Sequence, residues 1–216
     1  MAGPLGTRFG AWTFLVGFAV LALSALSALI GVVLSVVGAF LTREWRAAAV
    51  GVVMGTVVLA VLASQILRAA GAPPIHDITT DTIDPPAFVA ALALRRDAAN
   101  PPEYDGAETA LLQQRAFPDI QPLLLGEPPD RAFGRVLAAA EAMGWEVVES
   151  APTEGRLEAV DTTFWFGFRD DIVIRVRAAD GGSRVDVRSK SRVGLGDAGT
   201  NARRVRAYLA ALRAGA

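Results

Sequence analysis

Residues 171–193 read DIVIRVRAADGGSRVDVRSKSRV and hold the clearest structural signal in the chain. Apolar and polar residues alternate on both sides of Asp180-Gly181-Gly182-Ser183, as in strands with one buried face. Glycines suit the positive φ angles that a type I′ turn requires at both central residues. The stretch therefore predicts a hairpin between strands at 171–178 and 183–193. The predicted pairs are Ala178–Val185, Val176–Val187 and Ile174–Ser189 on one face, and Arg177–Asp186 and Arg175–Arg188 on the other.

One of these pairs needs a counter-charge. Arg175 and Arg188 face each other in this register, and like charges directly opposite in a sheet repel. We expect Glu158 or Glu149, on neighbouring strands, to lie between them.

The sequence around the hairpin predicts two helices and two more strands. Asp130 is a suitable N-cap for a helix that ends before Gly144, and a last helix begins after Asp197 or Thr200. Strands are expected at 145–149 and 156–164. Residues 130–216 thus predict an α+β core, a four-stranded antiparallel sheet with its apolar face covered by two helices.

The N-terminal 70 residues predict a membrane anchor. Residues 11–41 and 47–67 contain no charged residue, and about 20 apolar residues suffice to span a bilayer. Only residues 42–46 separate the two runs, so we expect a transmembrane helical hairpin in contact with the lipid bilayer. A cleaved signal peptide fits poorly, because the first run is too long and a second follows at once.

Small residues recur every fourth position in both predicted spans. Such stripes let helix backbones approach closely. We expect them to face each other within the hairpin, and a dimer interface is the alternative. The stripes are Ser27, Gly31 and Ser35 in the first span, and Ala47, Gly51 and Gly55 in the second.

Basic residues give a weak signal of orientation. Arg43 and Arg46 lie in the loop between the spans, whereas Arg8 and Arg68 flank them. The positive-inside rule then favours a cytoplasmic loop, with both chain termini outside.

Residues 71–129 predict an extended, proline-rich strap. Ten of the 12 prolines lie between Pro73 and Pro129, and proline interrupts both sheets and helices. A short helix is expected at 107–117, ended by Pro118. The segment is too apolar for a disordered linker, so we expect it to wrap the core as part of one soluble domain.

Several motifs resemble one family. DTTFWFGFRDD at 161–171, RSKSRVG at 188–194, GDAGTN at 196–201 and PIHDITTD at 74–81 are similar to the domain-of-unknown-function family numbered 1499. The resemblance covers about residues 74–214, and many members carry an N-terminal membrane segment. It implies a bacterial envelope setting, with the soluble domain in the periplasm at the inner membrane. It implies no activity, cofactor or substrate.

A cluster of charged and polar residues at the strand ends is the first candidate site. Arginine forks there suit a carboxylate or phosphate ligand, and paired carboxylates suit acid–base chemistry. The structural alternative, which we favour, is a network of ion pairs and helix caps. The members are Asp161, Arg169, Asp170, Asp171, Arg188, Arg192, Asp197, Asn201 and Arg204.

His76, with Asp77 and Asp81, is the second candidate. A histidine beside carboxylates suits a divalent metal or a general base. The spacing matches no established metal motif, so we expect hydrogen bonding of the strap to the core instead.

The aromatic run Phe164, Trp165, Phe166 and Phe168 is the third candidate. If these rings are exposed, they form a surface that dips into the membrane or binds an apolar ligand. If they are buried, they belong to the core. We favour the core, because aromatic residues dominate cores.

Composition excludes several classes of function. The chain has no cysteine and one histidine, which rules out thiolate chemistry. A net charge of −1 argues against nucleic-acid binding. The sequence predicts a non-catalytic envelope module that binds a protein or lipid-like partner, without metal or cofactor. The alternatives are a hydrolase that uses His76 and nearby carboxylates, and a structural subunit of a membrane complex.

Overall fold

The computed structural model describes residues 2–215, apart from the side chain of Arg68. The chain divides into two units. One holds the residues up to Gly71 together with Phe164–Gly167, and the other holds Ala72–Thr163 and the residues from Phe168 onward. Each unit is described by itself below.

The helical unit contains α1 (Ala2–Arg8), α2 (Phe14–Thr42) and α3 (Trp45–Ala70). Helices α2 and α3 are long and apolar enough to cross a membrane. No part of the most apolar stretch of either helix is buried inside the protein. Arg43 ends α2 in the left-handed conformation, with φ of 59°, so the chain reverses at once into α3. The two apolar helices are confirmed, a few residues displaced from 11–41 and 47–67. Sequence analysis did not predict α1.

The small-residue stripes meet inside this unit. A Cβ added at Gly51 would collide with the side chain of Ser35, and one added at Gly55 would lie 3.0 Å from the carbonyl oxygen of Ala28. The close approach of α2 and α3 therefore needs these glycines. Gly51 meets Ser35 as expected, whereas Gly55 meets Ala28 and Val32. A Cβ at Gly31 would meet nothing within 4 Å, so the predicted stripes face each other only in part.

The second unit is built on an antiparallel sheet of six strands. Its order is β3-β4-β5-β6-β1, and β2 pairs with the same edge of the sheet, on β6. The helices are α4 (Ala107–Ala116), α5 (Pro129–Ala142) and α6 (Thr200–Ala214), with 3₁₀ turns at Ala90–Arg95 and Pro152–Glu154. The strands are β1 (Asp77–Thr79), β2 (Leu123–Leu125), β3 (Glu146–Ala151), β4 (Arg156–Thr162), β5 (Arg169–Ala179) and β6 (Gly182–Ser191).

The predicted count of four strands is wrong. The segment expected to be only a wrapping strap supplies β1 and β2, which both pair with β6. Each is only three residues long, too short to show alternation in the sequence. The short helix before Pro118 is present as α4.

The predicted ends of α5 and α6 are close to those observed. Pro128, rather than Asp130, is the N-cap of α5. Gly144 follows the helix with φ of +73°, a conformation that favours glycine. Gly199 is the N-cap of α6, and Asp197, two residues earlier, accepts hydrogen bonds from the amides of Gly199 and Asn201.

The hairpin forms, but its register differs by two residues from the prediction. Ala178 pairs with Ser183, and Val176 pairs with Val185. Asp180 and Gly181 are the turn residues, because Ala179 pairs with Gly182. The predicted type I′ turn is wrong. Such a turn would need a positive φ at Asp180. Among the described non-glycine residues, positive φ occurs at Arg43 and Ala198 and not at Asp180. A shift of two preserves the faces, so the same side chains stay buried.

The shift also removes the predicted Arg175–Arg188 pair. Arg175 lies opposite Asp186, and Arg188 lies opposite Val173. Asp186, rather than Glu158 or Glu149, is therefore the carboxylate beside Arg175.

Helices α5 and α6 cover the apolar face of the sheet, as predicted. The core between them includes Ile172, Ile174, Val176, Val185 and Val187 from β5 and β6. On the helix side, Trp145 stacks on Tyr208, whose hydroxyl donates a 2.7 Å hydrogen bond to the carbonyl of Val136.

Candidate functional site

The opposite face of the sheet, here called the outer face, is buried but charged. Segment 84–105 lies over it, and the side chains beneath are almost inaccessible to solvent. Buried charges are stable only when they are paired and hydrogen-bonded. Charged residues on this face with exposure of 0–2% are Asp77, Glu158, Asp171, Asp186, Arg188 and Lys190.

Arg188 is the centre of this face. Its guanidinium donates two hydrogen bonds to Asp77, of 2.9 and 2.8 Å. The same group donates to the carbonyls of Pro86 and Pro102, and it lies over the ring of Phe88. Four of the five N–H groups of this buried guanidinium are therefore bonded to the chain itself.

Asp171 and Glu158 have the same kind of environment. Asp171 accepts hydrogen bonds from Arg95 and Arg192. Glu158 pairs with Arg156 and accepts three hydrogen bonds from the amides of residues 89–91, at the start of a 3₁₀ turn. These carboxylates fasten the covering segment to the sheet.

A second group of predicted residues lies on the helix-covered side. Arg204 of α6 donates 2.7 Å hydrogen bonds to Asp161 and Asp170, and it also contacts Ser189 and Asn201. Burial lowers the pKa of a guanidinium, but Asp170 and Asp161 outweigh it and raise the pKa of Arg204.

The environment of Asp197 disfavours the charged form of its side chain, whereas that of Arg204 favours the charged form. Burial raises the pKa of the Asp197 carboxyl, and the nearby Asp170 adds to this. The amides of Asn201 and Gly199 oppose the shift without reversing it.

Asp170 and Asp171 do not form the predicted pair of carboxylates at one site. Asp170 and Asp171 are neighbours in β5, so their side chains point to opposite faces, one to Arg204 and the other to Arg192. Arg169 is exposed, and its backbone carbonyl accepts the amide of Arg192. The nine predicted residues thus form separate structural clusters.

The strap candidates also have separate partners. His76 Nε2 lies 3.2 Å from Asp105, and its Nδ1 lies 3.5 Å from the carbonyl of Leu195. Asp77 pairs with Arg188 and Lys190, whereas Asp81 pairs with Arg184. Nε2 of His76 is buried beside Asp105 but makes no hydrogen bond, so the contact of Nδ1 with the carbonyl of Leu195 is its one hydrogen bond among the described residues. Sequence reasoning missed Asp105, which gives no local signal.

Tyr104 precedes Asp105 in the chain, and the guanidinium of Arg188 lies over its ring. Burial and the charge of Asp77 raise the pKa of its phenol to about 12. In the described residues, no group of three or more histidine, aspartate or glutamate side chains is arranged to hold a metal ion.

The expectation that the aromatic run belongs to the core is wrong for two of its members. Phe164 is 69% exposed and Trp165 is 42% exposed, while Phe166 and Phe168 are half-buried. The run belongs to the loop between β4 and β5, and a loop ring is not enclosed by the sheet.

A cleft of about 480 Å³ opens beside the outer face. It lies where β1 and β2 leave a gap along the edge of β6, between Arg188 and Val185. Thr80 closes part of the gap, because its hydroxyl accepts the amide of Val187 at 2.8 Å. The lining residues are Thr80, Asp81, Thr82, Ile83, Asp84, Gln113, Gln114, Phe117, Ile120, Gln121, Pro122, Arg177 and Arg184.

The side chain of Gln113 fixes one wall of the cleft. Its Nε2 donates a hydrogen bond to the backbone carbonyl of Thr79, and its Oε1 accepts one from the backbone amide of Thr79. A neighbouring strand would make the same two bonds. This pairing ends the sheet edge and holds α4 beside β1. Sequence reasoning missed Gln113, because nothing near it in the sequence marks this role.

Charged residues form the other wall. Arg177 and Arg184 are register partners, and both bond Asp186, which lies beneath them. Burial raises the pKa of Asp81, but the amides of Asp84 and Ile83 and the charges of Arg184 and Arg175 outweigh it and lower the pKa overall.

Solvent reaches only part of this wall. The side chain of Arg177 is 41% exposed and that of Asp84 is 64% exposed, and Ile83 at the rim is 95% exposed. The cleft therefore offers a partly exposed guanidinium, which also bonds Asp84 and Asp186, together with amides and an apolar anchor. The alternation of arginine and aspartate in the predicted hairpin was the available signal for this wall.

Comparisons with known proteins agree with the motifs. Among curated proteins, no match is found for the chain. The model of one family, described as a protein of unknown function, matches residues 77–212, which include the whole sheet and all of the cleft. The chain therefore belongs to the family of proteins of unknown function DUF1499.

Proposed function

We propose that this protein is a membrane-anchored, non-catalytic binding module on the periplasmic side of the bacterial inner membrane. Helices α2 and α3 are its anchor, and the cleft beside β6 binds a segment of a partner protein in the envelope. The observation that carries the proposal is the contrast between two sets of charges. Those of the outer face are enclosed, whereas the cleft presents Arg177 and Ile83 to solvent.

The chemistry of the cleft supports a protein partner. Arginine and large apolar residues are the usual anchors of protein interfaces. The volume is within the ~300–1,000 Å³ of typical ligand sites. Gln114 and Gln121 on the opposite wall are exposed, and their side-chain amides suit peptide groups, which both donate and accept. Gln113, by contrast, is committed to Thr79.

The hydrolase alternative has less support. A general base needs a nitrogen within hydrogen-bond reach of the proton it takes. Nε2 of His76 is buried beside Asp105, out of reach of solvent, and Nδ1 faces the carbonyl of Leu195. The alternative of a subunit assembled through the small-residue stripes has less support as well, because those stripes are partly used within the hairpin.

Site-specific photocrosslinking in intact cells tests the cleft. A photoreactive residue in place of Ile83 is expected to give one discrete adduct with an envelope protein. The adduct is expected to disappear when Arg177→Glu is added. A photoreactive residue in place of Leu92, which is 44% exposed and lies on the 3₁₀ turn over β3 and β4, is the matched control. No adduct, or the same adduct from both positions, would contradict the proposal.

A reporter fusion tests the orientation. A reporter that is active only outside the cytoplasm, joined after Ala216, is expected to be active. Activity of a cytoplasmic reporter in its place would overturn the outer location and leave the cleft to a cytoplasmic partner.

A further inference from the structure

The helical unit contains more than helices. Residues 164–167 of the β4–β5 loop belong to it, and within the unit the ring of Phe166 lies 4.7 Å from that of Phe18. The neighbours in the loop, Phe164 and Trp165, remain 69% and 42% exposed. A water-soluble surface has little reason to present two large aromatic rings side by side.

The depth of Phe18 in a bilayer follows from helix geometry. Phe40 lies 22 positions after Phe18 in α2, which is about 33 Å along the helix axis. The hydrocarbon core of a bilayer is about 30 Å thick. Phe18 and Phe40 therefore mark the two boundaries between hydrocarbon and headgroups when α2 spans the membrane.

The far boundary has the aromatic residues expected there. Phe40 contacts Trp45 edge to face, and the two side chains are 70% and 54% exposed. Tryptophan and tyrosine are enriched at both interfaces of membrane proteins, because their rings are amphipathic. A matching belt is expected at the level of Phe18.

We propose that Phe164 and Trp165 insert into the lipid at this near boundary and form that belt. The partner is the bilayer itself, at the level where headgroups meet acyl chains. The inference rests on the membrane placement in the proposed function, but it does not depend on the cleft. Arg8 donates a 2.7 Å hydrogen bond to the carbonyl of Phe164 and lies over its ring, which holds the loop in the helical unit.

Spin labelling of the full chain tests this insertion. The chain has no cysteine, so a single nitroxide can be placed at any residue. The labelled variants are Trp165→Cys, Phe164→Cys, Ile83→Cys and Leu29→Cys. Each is reconstituted in vesicles of phosphatidylcholine and phosphatidylglycerol. Accessibility to oxygen and to a water-soluble nickel chelate is then compared by electron paramagnetic resonance.

Two positions calibrate the measurement. Ile83, 95% exposed, is the aqueous control, and Leu29, 51% exposed in the middle of α2, is the lipid control. At residues 164 and 165 we expect nickel access several-fold below that of Ile83, and oxygen access between those of the controls.

Two results would overturn the inference. Nickel access at residues 164 and 165 equal to that at Ile83 would place the loop in water. Low access to both reagents would mean that protein alone covers it. With Leu29 in lipid, either result leaves the membrane anchor intact; an aqueous Leu29 would overturn the anchor as well.

Discussion

The two faces of the sheet are both buried, but by different means. Helices α5 and α6 cover one face mostly with apolar side chains, which need only a matching volume, and Arg204 with its two aspartate partners is the charged exception there. Segment 84–105 covers the other, where each charge needs a partner at a defined position. The comparison teaches that the inaccessible arginines and aspartates are held by partners within the chain, whereas charges at the margin of the sheet reach solvent.

Removing one partner of an outer-face pair is expected to have the largest effect. Asp171→Ala leaves Arg95 and Arg192 without their shared carboxylate. Because an unpaired buried charge is strongly unfavourable, we expect a loss of about 3–5 kcal/mol in the free energy of unfolding. Denaturant unfolding measures it, and a loss below about 1 kcal/mol would mean that the face is solvated.

A small truncation on the apolar face gives the reference effect for packing without charge. Ile174→Val deletes one buried methylene in the core under α5 and α6. We expect a loss of about 0.5–1.5 kcal/mol, the range for this substitution in well-packed cores. The same unfolding experiment measures it. A loss equal to that of Asp171→Ala would remove the distinction between the faces.

The pH dependence of stability should have opposite signs at two carboxyls. The pKa of Asp81 is lowered, so its stabilising effect is present above its unfolded pKa, near 3.9, and is lost as pH falls through the folded value. The pKa of Asp197 is raised, so stability is lost as pH rises through its folded value.

The corresponding variants separate these effects. Asp81→Asn should flatten the fall in melting temperature on the acid side. The stability of Asp197→Asn relative to the unmodified protein should improve as pH rises. Thermal unfolding from pH 3 to 7 checks both, and parallel curves for either variant would contradict the assignment.

A surface ion pair is expected to have the smallest effect. Arg206 and Asp119 bond each other while 40% and 55% of their side chains are exposed. Arg206→Ala should change the free energy of unfolding by about 0.2–1 kcal/mol, because solvent screens such pairs. The difference should shrink in high salt, and an undiminished one would indicate that packing on Phe117 dominates.

The sequence predicted what depends on neighbouring residues. Alternation and the turn signal Asp180-Gly181-Gly182-Ser183 located the hairpin, and apolar periodicity located α5 and α6. It did not predict β1 and β2, because three-residue strands depend on an existing partner at the sheet edge. The predicted register of β5 and β6 was wrong by two residues, because both registers bury the same face of each strand.

The candidate site was harder to predict for the same reason. Arg188 was identified as a site residue, but its partners Asp77, Pro86 and Pro102 lie more than 80 positions away. No local pattern distinguishes an arginine held by such partners from one open to a ligand. Gln113, whose contacts shape the cleft, lacks a sequence signal altogether.

One paired measurement tests the central claim that the enclosed charges are structural and the cleft is functional. Arg188→Ala and Arg177→Ala are compared for unfolding free energy and for the adduct formed from residue 83. We expect Arg188→Ala to lose several kcal/mol of stability, and Arg177→Ala to keep its stability within about 1 kcal/mol and lose the adduct. A stable Arg188→Ala protein that loses the adduct would contradict the account.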